Sequence, residues 1–439
     1  MARNLTTGLQ RSLKRSLRPG LVGGDLFTTA ALDLNFARYK TLDPRITFTR
    51  ASTGTYVGSD GLVKTATTNE ARFDHNPTTG ESLGLLVEEA RTNLSLRSQE
   101  LDNAAWTKTA SSITANAIAS PDETTTADKL VEDSSTSVHN IFEAASITYT
   151  NGIAYSFSFF VKKAERQTVQ ILMHPNPFPG TAGQRTAIFN SNTGAFVSVG
   201  SAYTNSSVTT FSSGWHRVSV TSTANATTTG NFTISLCSDD AGTVTYTGNG
   251  TSGIYLWGAQ LEAGAFATSY IPTTTATVTR AADVASITGA NFSSWYNQTE
   301  GTVFAEYNRL VNASGRVFTF NDTTANEQIR ITASLSTNIR PDWQVIDGGA
   351  VMANVLGAAE VAVGATGKTA GTYKLNDFQQ ATNGTLGTAD TAGTLPTLTV
   401  LNIGANESGS GSMINGTIKR LTYWPVRLAN PTLQSITTP

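Results

Sequence analysis

Cysteine is all but missing from this chain. Its 439 residues include a single one, Cys237 in SLCSDD, so no disulfide can close within the chain. The expected role is that of a small buried hydrophobe. Histidine is scarce too, with four scattered residues and neither CxxC nor HExxH, and no zinc centre is expected. Charge is thin: Asp, Glu, Lys and Arg make up 14% of the chain, about half the usual share. A net charge of -2 and a pI near 6.1 give no electrostatic footprint for nucleic acid. No apolar run reaches membrane length, and no apolar segment follows the basic N-terminus as a secretory signal would require. Neither GxSxG nor a P-loop occurs. No cofactor and no catalytic residue is expected.

Thr, Ser, Asn and Gly take the place of charge. β-Branched Thr suits exposed strand faces, and Gly and Asn suit turns. Apolar residues at 39% supply a core, and their recurrence throughout argues against disorder. The expected fold is all-β: two β-sandwiches of jelly-roll type, preceded by a short basic helix and a small β-rich module.

Residues 1–25 differ from the rest. Leu5, Leu9, Leu13 and Leu17 recur at i, i+4, along one side of a helix. Arg11, Lys14, Arg15 and Arg18 surround them, with no acid before Pro19 and Gly20. The pattern reads as an amphipathic docking segment; a helix lying on its own domain is the plainer alternative.

Residues 26–97 read as a small anchoring module. LDLNFARY alternates Leu32, Leu34 and Phe36, and Tyr56-Val57 and Leu62-Val63 flank a Gly-Ser-Asp-Gly turn. Residues 98–272 carry strands such as AYSFSFFVKK and GIYLWGAQLE, spaced as in a sandwich. Residues 273–295 read as a hydrated linker, and residues 296–439 as a second sandwich.

Four stretches point further: LDPRITFTRASTGTYVGSDGLVKTA, ARFDHNPTTGESLGLLVEEARTNL, GWHRVSV and IYLWGAQLEAGAFATSYIPT. Together they resemble tailed-bacteriophage and prophage virion structural proteins of the tail- or head-fibre type. In such proteins a carbohydrate-binding-like jelly roll precedes a laminin-G or concanavalin-like sandwich. The resemblance implies a virion location, other virion proteins as partners and a homo-oligomer, with a trimer favoured. It carries no catalytic residue.

Glu88, Glu89 and Arg91 sit in GLLVEEARTNL. Adjacent carboxylates in a strand point to opposite sides and do not share one substrate. A structural ion pair with Arg91 is expected, with Asn93 bonding backbone. If the sandwiches bind sugar, aromatic faces should meet the rings. Phe178 at the tip of HPNPFPG, Trp106, Tyr203 and Trp295 are the candidates. For calcium, Asp239 and Asp240, or Asp128 and Glu132, form no recognisable loop, and no metal is expected. Three functions therefore stand: a virion structural component, a carbohydrate-binding host-recognition adhesin and, last, a polysaccharide depolymerase.

Overall fold

The computed structural model describes residues 26–311, 314–333 and 339–439. The docking residues Leu5, Leu9, Arg11, Leu13, Lys14, Arg15, Leu17 and Arg18 lie outside them. The fold is all-β with a few short helices, and the chain forms two units.

One unit comprises residues 50–81 and 90–282. Two six-stranded antiparallel sheets form its sandwich. The first runs Asn205–Thr210, His216–Thr223, Ala154–Lys162, Gly253–Ala263, Ala127–Glu132, Ser111–Ile118. The second runs Ala195–Val199, Thr186–Asn190, Thr168–Met173, Phe232–Leu236, Asn140–Glu143, Trp106–Thr109. Alternation along the strands puts Phe157, Phe159, Val218 and Val220 into one core with Val169, Ile171, Phe232 and Ile234. A smaller cluster joins Phe160, Trp215, Trp257 and Tyr270 to Val63. Val63 comes from the expected hairpin, whose strands Gly54–Val57 and Val63–Ala66 pair with Val57 opposite Val63. Asp60 makes the turn, accepting the Leu62 N–H at 3.1 Å and pairing with Lys64 at 2.8 Å, and Gly61 takes φ +77°.

The other unit comprises residues 26–49, 82–89 and 283–439 as far as they are described. One sheet orders Thr385–Leu386, Gln379–Thr382, Thr366–Lys374, Glu300–Arg309, Gly416–Trp424. Leu32–Asn35 and Ser82–Val87 both add to Gly416–Trp424, each antiparallel to it. The second sheet orders Thr47–Thr49, Val284–Thr288, Val400–Ile403, Arg316–Asn321, Gln328–Thr332, Asp342–Asp347, Ala350–Leu356. Phe292, Trp295, Tyr296, Phe320 and Tyr423 stack edge and face in the core. Helix Asn430–Thr437 brings Leu433 and Ile436 onto Trp424 and Leu26.

Two expected boundaries are corrected. Residues 26–97 are not one module, because 26–49 and 82–89 belong to one unit and the rest to the other. The cause is strand pairing across long sequence separations: Asp33 faces Thr422, and its carboxylate accepts Arg420 through two bonds of 2.7 Å. Nor are residues 273–295 a linker. Val278–Arg280 pairs with Arg91–Asn93, Val284–Thr288 is a sheet strand, and Gly289–Ser293 is a short helix. LDLNFARY also changes course midway. The strand ends at Asn35, whose side chain caps a one-turn helix, Phe36–Tyr39, by accepting the Arg38 N–H at 3.1 Å.

Candidate functional site

The acidic pair takes separate structural partners. Glu88 is 1% exposed; its N–H donates to the Asp283 carboxylate at 3.0 Å, and its carbonyl accepts the Asp283 N–H at 3.0 Å. Glu89 meets Asn415 in a closed ring of bonds: its N–H donates to Oδ1 at 2.9 Å, and its carboxylate accepts from Nδ2 at 3.0 Å. Arg91 donates to the Ala263 carbonyl and lies 4.8 Å over the Phe266 ring. Gly264 makes room, since a Cβ there would fall 1.1 Å from the Arg91 guanidinium. Asn93 uses its whole amide on backbone, donating to Ala259 and Ile271 and accepting from Ser95 and Leu261.

The four aromatic candidates for sugar contact are corrected, because none presents a face to solvent. Phe178 is 1% exposed, with its ring 4.9 Å from Tyr149 and 5.6 Å from Phe232. Its loop folds inward, and Pro177 accepts the Asn225 N–H at 2.9 Å. Trp106 is buried and donates to the Arg97 carbonyl at 3.2 Å. Tyr203 donates to the carbonyls of Arg185 at 2.8 Å and Ile171 at 3.1 Å. Trp295 packs 5.0 Å from Tyr423 and donates to Asn291 at 2.6 Å. Burying a large ring outweighs exposing it wherever its polar edge finds a backbone carbonyl.

The carboxylates weighed for calcium are held as structural acceptors. Asp128 takes the N–H groups of Leu101 and Asn116. Glu132 takes Arg166 through two bonds, of 2.7 and 2.8 Å, and also the Tyr246 hydroxyl and the Asn249 N–H. Asp239 takes the Thr243 N–H at 3.0 Å, and Asp240 takes Gln167 and Thr168. Among the described residues no three His, Cys, Asp or Glu side chains gather as a metal site would require.

A cleft of about 550 Å³ lies in the unit that holds residues 283–439. Arg340, Asn354, Thr388, Asp390 and Thr391 supply its polar groups, and Leu356 and Leu386 an apolar wall. Two glycines let its sides approach. Gly357 donates to the Pro341 carbonyl at 2.8 Å; Gly387 donates to Gln380 at 2.8 Å, and a Cβ on it would stand 2.5 Å from the Leu356 carbonyl. Asp390 is set by paired backbone bonds with Phe378, and its carboxylate accepts the Ala392 N–H at 3.2 Å. The size suits a small ligand, and hydroxyl, amide and ionic groups beside an apolar wall suit a polyhydroxylated one.

The wall strand Ala350–Leu356 continues into the sheet. Leu356 stands opposite Asp342, Asp342 opposite Thr332, and Thr332 opposite Arg316. Asn354, Gln344, Arg330 and Thr319 form the next row. Directly opposed residues project to one face, and the other face is the core of Trp343, Val345, Ala353 and Val355. Asp342 is 1% exposed and neither carboxylate oxygen has a hydrogen-bond donor. Burial pushes its carboxyl up to about 6, against the pull of Arg330 and Arg316. Burial, then Arg316, pushes Arg330 down to about 10. Both guanidinium groups bond neutral oxygens: Arg316 to Thr332, Arg330 to Gln328 and Gln344.

Neither cleft nor ladder was foreseen. Arg340, Asn354 and Asp390 carry no motif, and only register and loop closure bring them together.

No protein-family model matches the chain, and no curated protein matches it. Similar solved structures include the CBM40 of the Ruminococcus gnavus IT-sialidase bound to alpha2,3 sialyllactose, with 13% identity and TM-score 0.30, covering 34% of this chain and 88% of that one. The heptameric SAP-like pentraxin of Limulus polyphemus has 11% identity and TM-score 0.26, covering 32% and 70%. Domains LG4-5 of mouse laminin alpha1 have 9% identity and TM-score 0.22, covering 63% and 83%. At such scores these likenesses assign the chain to no family and bear no argument about its function.

Proposed function

We propose that this chain is a carbohydrate-binding display component of a tailed-phage particle and acts by binding rather than by turnover. The observation that carries the binding is the cleft, where Asn354, Thr388, Asp390 and Thr391 offer donors and acceptors beside Leu356 and Leu386. Such a lining matches a sugar, with hydroxyls on its rim and C–H groups on its face. The virion location rests on the sequence phrases that resemble fibre-type structural proteins. In this reading the Leu5, Leu9, Leu13 and Leu17 stripe docks the chain on other virion proteins, and copies assemble as a homo-oligomer, a trimer by preference.

Thr388 is exposed and lines the cleft, so Thr388→Trp should fill the cleft without disturbing the core. On a glycan array the wild-type chain should bind and the variant should not, with equal melting temperatures. Binding unaffected by Thr388→Trp would remove the cleft from the function, and shortening of bound glycans would restore the depolymerase reading. Deleting residues 2–20 should abolish incorporation into particles; normal incorporation would refute docking through that segment.

A further inference from the structure

Among the described residues, both oxygens of the Asp342 carboxylate are without a hydrogen-bond donor. The group is buried, and it stands one strand from the cleft wall at Leu356. Arg330 acts on it from the next strand and Arg316 from the one beyond, and Glu407 acts on both arginines, accepting Gln328 at 3.0 Å. These four charged groups act on one another in the ladder; Arg340 and Asp390 line the adjoining cleft. With both acids ionised the cluster is neutral; with Asp342 protonated it carries one net positive charge. The arginines are half-buried rather than sealed, each bonds neutral oxygens, and each leaves its Nε without an acceptor. Arg330 lies two strands from Asn354 in the cleft wall, roughly 10 Å at ordinary strand spacing.

We infer that this polar ladder extends the cleft into a second, proton-gated subsite that favours an acidic saccharide, its carboxylate taken by Arg316 and Arg330 once Asp342 is neutral. The inference rests on the cleft's being a glycan site. Asp342 acts as the gate because no hydrogen bond anchors its charge and burial outweighs the pull of the two arginines: a proton removes the burial cost and frees the arginine pair for an external anion. A ligand that reaches across from the cleft then replaces the neutral acceptors with a charge-assisted pair.

The test is isothermal titration of the full chain with tetragalacturonic acid and with its carboxyl-reduced galactose tetramer, at pH 7.5 and pH 5.5. The acid tetramer keeps its carboxylates ionised over that range. It should bind more tightly than the neutral one at pH 5.5 and lose about tenfold in affinity at pH 7.5. Even at about 10 Å one unit charge in an effective dielectric of about 20 is worth that much, and Asp342 stands one strand from Arg330. Asp342→Asn should bind the acid tetramer tightly at both values. Arg330→Gln should lose the preference while keeping the neutral ligand. Melting curves on each variant keep loss of fold apart from loss of binding. Equal binding of both tetramers at both pH values would overturn the gated subsite and leave the glycan cleft standing. Binding of neither would overturn the glycan reading and this inference with it.

Discussion

Glu143 gives the sharpest test of the sandwich formed by residues 50–81 and 90–282. Its carboxyl is 8% exposed and accepts the Leu96 N–H at 3.0 Å. Burial pushes it from 4.5 up to about 7, more than its bonds to Ser95 and Leu96 pull it down. The ionised form is thus disfavoured in the fold relative to the unfolded chain. The sign follows from proton binding: between pH 4.5 and 7 the native state holds the proton and the unfolded state does not, so stability rises as pH falls. From pH 8 to pH 5.5 the gain from this one group is about 2 kcal/mol. Glu143→Gln keeps the acceptor for Leu96 and removes the titration. The wild type should therefore gain about 2 kcal/mol more than the variant between those pH values. In a unit of this size that is roughly 4 to 8 °C in melting temperature. Scanning calorimetry of both proteins at pH 8 and pH 5.5 measures it, and the difference cancels every other titrating group. A gap between them that does not change with pH would refute the placement of an ionising carboxyl in that buried site.

Phe178→Ala should cost about 3 to 5 kcal/mol, the usual loss for a buried ring, as measured by denaturant unfolding; a loss under about 1 kcal/mol would return the ring to the surface. Gly264→Ala should destabilise by about 1 to 3 kcal/mol, because its methyl displaces the Arg91 guanidinium. In an Arg91→Ala background the clash is gone and only the strain of a side chain at φ +157° should remain, a smaller cost; an undiminished cost there would show that the clash is elsewhere. Asp33→Asn breaks the paired bonds to Arg420 and should cost about 1 to 2 kcal/mol, below a fully buried pair because both partners are partly wet. No change in unfolding free energy would show that the pair does not secure its strand.

Local chemistry was legible wherever a short stretch decides its own structure. The Gly-Ser-Asp-Gly turn, the alternation in LDLN and the continuous apolar strands AYSFSFF and IYLWGAQL all stand as strand and turn. Their periods are properties of a few neighbouring residues. The scarcity of charge and the wealth of Thr and Asn pointed to the all-β class for the same reason: strand and turn preferences are local. Asn93 was legible as a backbone-bonding residue because a short amide after a strand has few other uses.

Only the tertiary structure decided which strands meet. Leu32–Asn35 and Ser82–Val87 both find Gly416–Trp424 across more than three hundred residues, and no periodicity encodes a partner at that distance. It also decided which aromatics are core, since the turn-rich HPNPFPG looks exposed yet folds Phe178 under Tyr149. The same holds for the cleft and the Asp342 ladder. Arg316, Arg330, Asp342 and Asn354 are ordinary residues of separate strands, and they become neighbours because backbone hydrogen bonds set the register across four strands. Sequence by itself determined the kind of elements, because propensity acts over a few residues. Pairing, burial and site were left to the folded chain, because these depend on contacts that exist only once distant segments share a sheet.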